Sequence, residues 1–327
     1  MRKVKYKDSI REAMMEEMAK DTNIILVGED IAKGYEGCFG VTKGICDTFG
    51  EKRIIDMPIC EASVIGCALG ASQLGIKVIA EIMFEDFITV CFDGIVNQAA
   101  KLKTLSGGQY NSTIVIRTPG GSAGFGAQHS QCLESIFMHV PGLYIALPSN
   151  AYDAKGLMKT AINFGEPVLF FEHQKLYNTE SDIPDEDYSI PFGSANIINE
   201  GKDVTVVAFS YMALLAMDAC RDLESDYGVS IELIDPRTLV PLDFDTIAKS
   251  VKKTGRLVTV EEGVLRGGAG SEIVARVEEE CFDFLDAPAK RIAALNFPVP
   301  ISPLMEKAVV PNKDRIIKEI SEYLGLK

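Results

Sequence analysis

The chain has 327 residues, 47% of them hydrophobic and 8% aromatic, with no Trp and a formal net charge of −14. That length can fill two ordinary domains with packed cores. The negative balance excludes a surface built for nucleic acid or anionic lipid, each of which needs clustered Lys and Arg. No apolar run is long enough to span a bilayer.

Residues 8–20 open the pattern as an amphipathic helix, with Ile10, Met14, Met15 and Met18 near helical spacing. IILVGED then reads as a buried parallel strand with polar groups at its C-terminal end, and KVIAEIMF, STIVIRTPGG, LYIALPSN and PVLFFEH repeat that profile. Helical stretches at 61–75, 86–103, 129–138 and 151–164 separate these runs. Strands alternating with helices predict an α/β domain over 1–177 with a mainly parallel sheet, whose ligands bind beyond the strand C-termini. The acidic, proline-containing stretch 178–191 reads as a linker. DVTVVAFS, VSIELIDPRT and RLVTVEEG follow as strands of a second α/β domain over 192–327, with helices at 211–224, 243–252 and 268–280.

Eight cysteines are scattered with no CxxC pair, which argues against structural zinc and for reduced thiols in a cytoplasmic protein. The N-terminus has basic residues without an apolar stretch behind them and does not read as a signal peptide.

Glu61 stands just before an apolar, glycine-punctuated helix in MPICEASVIGCALGASQLG. Such an acid is capped and hydrogen-bonded, or it is used chemically. Gly66 and Gly70 share a helix face and admit a second helix at close range. The loop GGSAGFGAQHSQ lacks the spacing of a phosphate loop and reads first as a glycine turn, with His129 behind it at the strand edge, where a neutral imidazole can move protons near pH 7. Cys132, three residues later, shares a helix face with His129 if the helix begins at 129. His139 reads as a packing or capping residue; His173, at a strand end, is open to either reading.

In order along the chain, LVGEDI, GVTKG, DMPICEAS, EIMFEDF, DGIVNQAAK, LSGGQ, IVIRTPGG, GAQHSQ, HVPGL, PSNAYDAKGL, IDPRTLVPLD and LDAP resemble one family throughout. It is the family of beta subunits of the thiamine-diphosphate-dependent, decarboxylating first component of 2-oxo acid dehydrogenase complexes, including those acting on pyruvate, branched-chain 2-oxo acids and acetoin. The resemblance implies a transketolase-like pyrimidine-binding domain followed by a transketolase C-terminal-like domain. It also implies that Glu61 hydrogen-bonds the aminopyrimidine ring of the cofactor and favours its imino tautomer, with protein groups supplying orientation and electrostatics. Phe87 matches the aromatic stacked on that ring, Ile59 and Met83 match residues lining its pocket, and Glu29 matches an acid near the exocyclic amine. His129 matches a histidine at the mouth of the site that shuttles protons or meets the lipoyl group.

The diphosphate-and-magnesium motif, GDG with a downstream Asn, is absent from this sequence. In the family it belongs to the alpha subunit, so the resemblance implies half a cofactor site per chain, Mg2+ held by the alpha subunit, and an α2β2 tetramer. The two-carbon carbanion or enamine formed there would pass its acyl unit to a lipoyl group of an acyltransferase core. Some members bind K+ through main-chain carbonyls at positions matching Ile114, Ala161, Ile162, Phe164 and Glu166; Phe164 and Glu166 depart from the acid and Asn often found there. IDPRTLVPLD, FFEHQKLY and IVIRTPGG stand closer to acetoin-type than to pyruvate-type subunits. A different class of function, a docking module for the alpha subunit or the core with a degenerate first domain, is opposed by the presence of Glu61, Phe87 and His129.

Overall fold

A computed structural model describes residues 1–32 and 34–326. The chain divides into two compact units, Met1–Gly120 with Ile136–Phe192, and Gly121–Ser135 with Gly193–Lys327.

In the first unit, six strands lie side by side in the order Tyr144–Ala146, Val168–His173, Ile114–Gly120, Lys77–Glu81, Ile24–Gly28 and Ile54–Asp56, every neighbouring pair parallel. Ile114–Gly120 is buried at every residue, as expected for an inner parallel strand covered on both faces. Arg117 in its middle is buried too, and its guanidinium meets the carboxylates of Glu81 and Glu172 on the flanking strands. Helix Tyr6–Lys20 turns Ile10, Met14 and Met18 into the core at a spacing of four, while Met15 is only half-buried. It packs on helix Ala151–Asn163, whose buried Lys155 and Lys159 reach back to Glu16.

Three local expectations change. The stretch read as one helix over 86–103 is a 3₁₀ turn at Glu85–Thr89, a π-turn at Gly94–Ala99 and a short α-helix at Leu102–Leu105. A Cβ on Gly94 would come within 3.0 Å of Ile65, so this segment presses on helix Glu61–Ser72, and the Ala100 N–H reaches the Ile95 carbonyl five residues back. The stretch 178–191, read as a linker, contains a strand at Glu180–Ile183, paired antiparallel with Arg2–Lys5. Both strands are four residues long and polar, so no apolar alternation marks them. The segment Gly121–Ser135 clusters with the second unit, although it lies within the stretch 1–177.

The second unit carries a five-stranded sheet in the order Lys290–Ala294, Leu257–Val264, Val204–Ala208, Ile231–Asp235 and Asn196–Asn199, parallel except for the last strand. Alternate residues serve opposite faces. Val206 packs with helices Tyr211–Tyr227 and Lys313–Leu324, whereas its neighbour Val207 packs with helices Phe244–Thr254 and Ala269–Cys281. Lys290–Ala294 and Asn196–Asn199 escaped the sequence reading because each is short and mixes polar with apolar residues.

Candidate active site

Three neighbouring strands of the first unit, Ile24–Gly28, Ile54–Asp56 and Lys77–Glu81, end at one edge of the sheet. Their C-terminal extensions carry Glu29 and Asp30, Asp56 and the turn to Glu61, and Met83 with the turn to Phe87. Parallel sheets place ligands here because the polar chain ends need not be buried in the layers above and below.

Glu61 is the first residue of helix Glu61–Ser72, where a carboxylate is favoured by the exposed amides and the helix dipole. Cys60 caps the helix through its carbonyl, which accepts from the Ser63 and Val64 N–H groups. Glu29 is half-buried, and its carboxyl is pushed above the usual range, first by burial and then by the charges of Asp30, Glu61 and Asp56. Asp56 accepts the Ile31 N–H at 3.0 Å, and the Met57 N–H bonds the Gly28 carbonyl at 2.8 Å, tying the two strand ends together. Asp30 holds a left-handed φ of +52°, a conformation that aspartate tolerates better than most residues. Asp30 and Asp56 were not singled out from sequence; the signal was there in GED and IID, but the second strand has only three residues.

Beside these acids lie apolar groups. Phe87 is half-buried and meets the Phe84 ring edge-on, with centroids 5.7 Å apart and planes at 72°. Ile59 is 77% exposed and Met83 half-buried. The donor set suits a flat, nitrogen-rich ring that offers hydrogen bonds to carboxylates and faces to apolar side chains. It does not suit a diphosphate, since Glu29 already feels the charges of Asp30, Glu61 and Asp56 and a further anion there would be repelled.

His129 falls in Gly121–Ser135, in the second unit, while Glu29, Ile59, Glu61, Met83 and Phe87 belong to the first. It is half-buried and its N–H bonds the Gly126 carbonyl at 3.2 Å. The helix after it starts only at Glu134, so His129 and Cys132 do not share a helix face. His139 is exposed, which removes the packing role expected for it. His173 is buried at a strand end, and its Nδ1 accepts the Lys175 N–H at 3.1 Å, a structural cap.

Ala161 and Ile162 occupy the last turn of helix Ala151–Asn163, and Phe164 closes it, its N–H on the Ala161 carbonyl at 3.3 Å. A helix C-terminus presents carbonyls to a cation, so this placement suits main-chain ligation. Ile114 begins its strand, and the Glu166 carboxylate is bound to Lys103.

Two family models match the chain: the transketolase pyrimidine-binding domain over residues 2–180 and the transketolase C-terminal domain over 193–316. The acetoin:2,6-dichlorophenolindophenol oxidoreductase subunit beta of Bacillus subtilis is 43% identical, over 99% of this chain and 98% of that protein. The pyruvate dehydrogenase E1 component subunit beta of Rickettsia felis is also 43% identical, over 98% of both. The chain belongs to the family of pyruvate and acetoin dehydrogenase E1 beta subunits. This family is transketolase-like and thiamine-dependent, as the sequence motifs implied. A solved structure described as a split gene transketolase, an inactive beta4 tetramer, superposes with a TM-score of 0.81 at 21% identity over 99% of each chain, which shows the shared fold. Among the described residues no helix is long and apolar enough to cross a membrane.

Proposed function

We propose that this E1 beta chain supplies the pyrimidine half of a thiamine diphosphate site shared with an alpha subunit, in a complex that cleaves acetoin in preference to pyruvate. The observation that carries the shared site is the edge formed by Glu29, Asp56, Glu61 and Phe87, which fits an aminopyrimidine and repels a diphosphate. Glu61 would take the ring nitrogen, Glu29 would lie by the exocyclic amine, and Ile59, Met83 and Phe87 would cover the ring. When bound, thiamine diphosphate supplies the carbon nucleophile and electron sink for cleavage beside a carbonyl. His129 would hold or move a proton at the mouth of the site, where substrate and then a lipoyl group enter.

Diphosphate and Mg2+ are assigned to the alpha subunit, in an α2β2 tetramer. K+ is assigned to the carbonyls of Ile114, Ala161, Ile162, Phe164 and Glu166, where it would brace a helix end. The acyl unit is passed to a lipoyl-bearing acyltransferase core, and the complex works in the cytoplasm. Acetoin is placed ahead of pyruvate on the strings IDPRTLVPLD, FFEHQKLY and IVIRTPGG, since the acetoin and pyruvate relatives stand at the same 43% identity.

The test is reconstitution with the alpha subunit of the complex, followed by thiamine-dependent dye reduction with acetoin and with pyruvate. Faster reduction with acetoin is expected. Faster reduction with pyruvate would overturn the substrate assignment, and a stable complex that fails to bind thiamine diphosphate would overturn the shared site.

A further inference from the structure

The loop that carries His129 is built from small residues and held from outside itself. The Gly121 N–H bonds the Gln131 carbonyl at 3.1 Å and closes the loop at its base. Gly124 and Gly126 adopt left-handed φ values of +83° and +79°, open to glycine at little cost. A segment with three glycines in this short span has much conformational freedom to lose on ordering.

Two carboxylates of the same unit provide the hold. The Ser122 N–H donates to Glu262 Oε1, and the Gly124 N–H donates to Glu306 Oε2 at 2.9 Å. Glu262 sits on strand Leu257–Val264 and Glu306 on helix Pro303–Val309, so the anchors come from independent elements. Both are buried, at 8% and 9% exposure, where a carboxylate requires donors and amide-to-carboxylate bonds are among the strong ones. A third restraint follows along the loop: a Cβ on Gly126 would stand 3.4 Å from the Ile301 Cβ, and the Gly126 carbonyl accepts the His129 N–H.

We propose that Glu262 and Glu306 are positioning residues for His129: by gripping the backbone at Ser122 and Gly124 they fix where its imidazole is presented. The proposal rests on the reading of His129 as a proton-moving group. It assigns to the C-terminal unit a part in the chemistry that neither glutamate would show from sequence, where each looks like a solvated acid.

The experiment uses the assembled complex with its alpha subunit, in four forms: Glu306→Ala, Glu306→Gln, His129→Ala, and Glu306→Ala with His129→Ala. Glu306 is chosen over Glu262 because its helix lies outside the sheet, so truncation leaves the strands intact. Glu306→Ala should lower kcat by about 10- to 100-fold, the scale of a misplaced catalytic group. It should speed amide exchange in peptides spanning 121–131 and leave thiamine diphosphate affinity unchanged. Glu306→Gln, which still offers an acceptor oxygen, should restore most of both. In the His129→Ala background, Glu306→Ala should cost nothing further, because coupled residues are non-additive. Unchanged exchange in the loop, or a full additional loss in the double variant, would overturn the positioning role while leaving His129 as assigned. Full turnover by His129→Ala would instead remove the catalytic assignment of His129, and the positioning role with it.

Discussion

Glu29 shows what the strand edge does to a single side chain. Burial, then the charges of Asp30, Glu61 and Asp56, push its carboxyl toward the protonated form. The shift favours the form of Glu29 that can donate as well as accept a hydrogen bond, which suits a ring with both needs. Glu61→Gln keeps the shape and removes the charge. It should cut turnover of the assembled complex by at least ~100-fold, the scale of acid–base catalysis, with little change in melting temperature because the residue is only half-buried. Dye reduction and thermal unfolding on one preparation check both halves. Elsewhere, Glu134 and Glu261 are buried acids of the second unit, their carboxyls pushed up to about 7 and about 8. Burial is the main cause; the charge of Glu262 adds at Glu134 against the opposing backbone hydrogen bond there, and the charge of Glu134 adds at Glu261, where the Gly270 and Ala269 N–H groups and then Arg291 oppose. Raised folded values mean that the native state binds the extra protons. The contribution is therefore complete below the unfolded value of about 4.3, declines as pH rises, and is gone above about 8. Melting temperature should fall between pH 5 and pH 8.5, and Glu261→Gln should flatten that fall; an unchanged slope in the variant would contradict the assignment. Glu61 was legible because it stands in a distinctive string, whereas Glu134, Glu261, Glu262 and Glu306 were not, since burial of an acid is decided by residues remote in sequence.

At the scale of elements, helix Glu61–Ser72 has two faces. Val64, Ile65, Ala68 and Leu69 are buried, while Gly66, Cys67 and Gly70 are exposed and a Cβ on either glycine meets nothing within 4 Å. The glycines are therefore not required by packing within this chain. Their small size is explained if the alpha subunit lies against this face. Gly70→Leu should leave the isolated chain as stable or more so, by up to ~1 kcal/mol from helix propensity, yet weaken or abolish the complex with the alpha subunit. Melting curves of the chain and size-exclusion of the mixture separate the two effects; an intact complex would remove this helix from the interface. The parallel strands were readable because fully buried strands are continuous apolar runs. The broken stretch 86–103 was not, since the contact between Gly94 and Ile65 that presses it onto its neighbour is a tertiary event with no local signature.

For the whole molecule, the order of motifs made the family and both α/β layers legible from end to end. What stayed hidden was the return of Gly121–Ser135 to the second unit, a long-range choice that strand and helix periodicities do not encode. The proposed function turns on one property of this chain, that it holds the pyrimidine end of a cofactor and not the diphosphate end. Calorimetric titration of thiamine diphosphate with Mg2+ into this chain alone, the alpha subunit alone, and the two together measures that property directly. Tight, stoichiometric binding only in the mixture is the predicted result. Binding by this chain alone with the affinity of the mixture would contradict it.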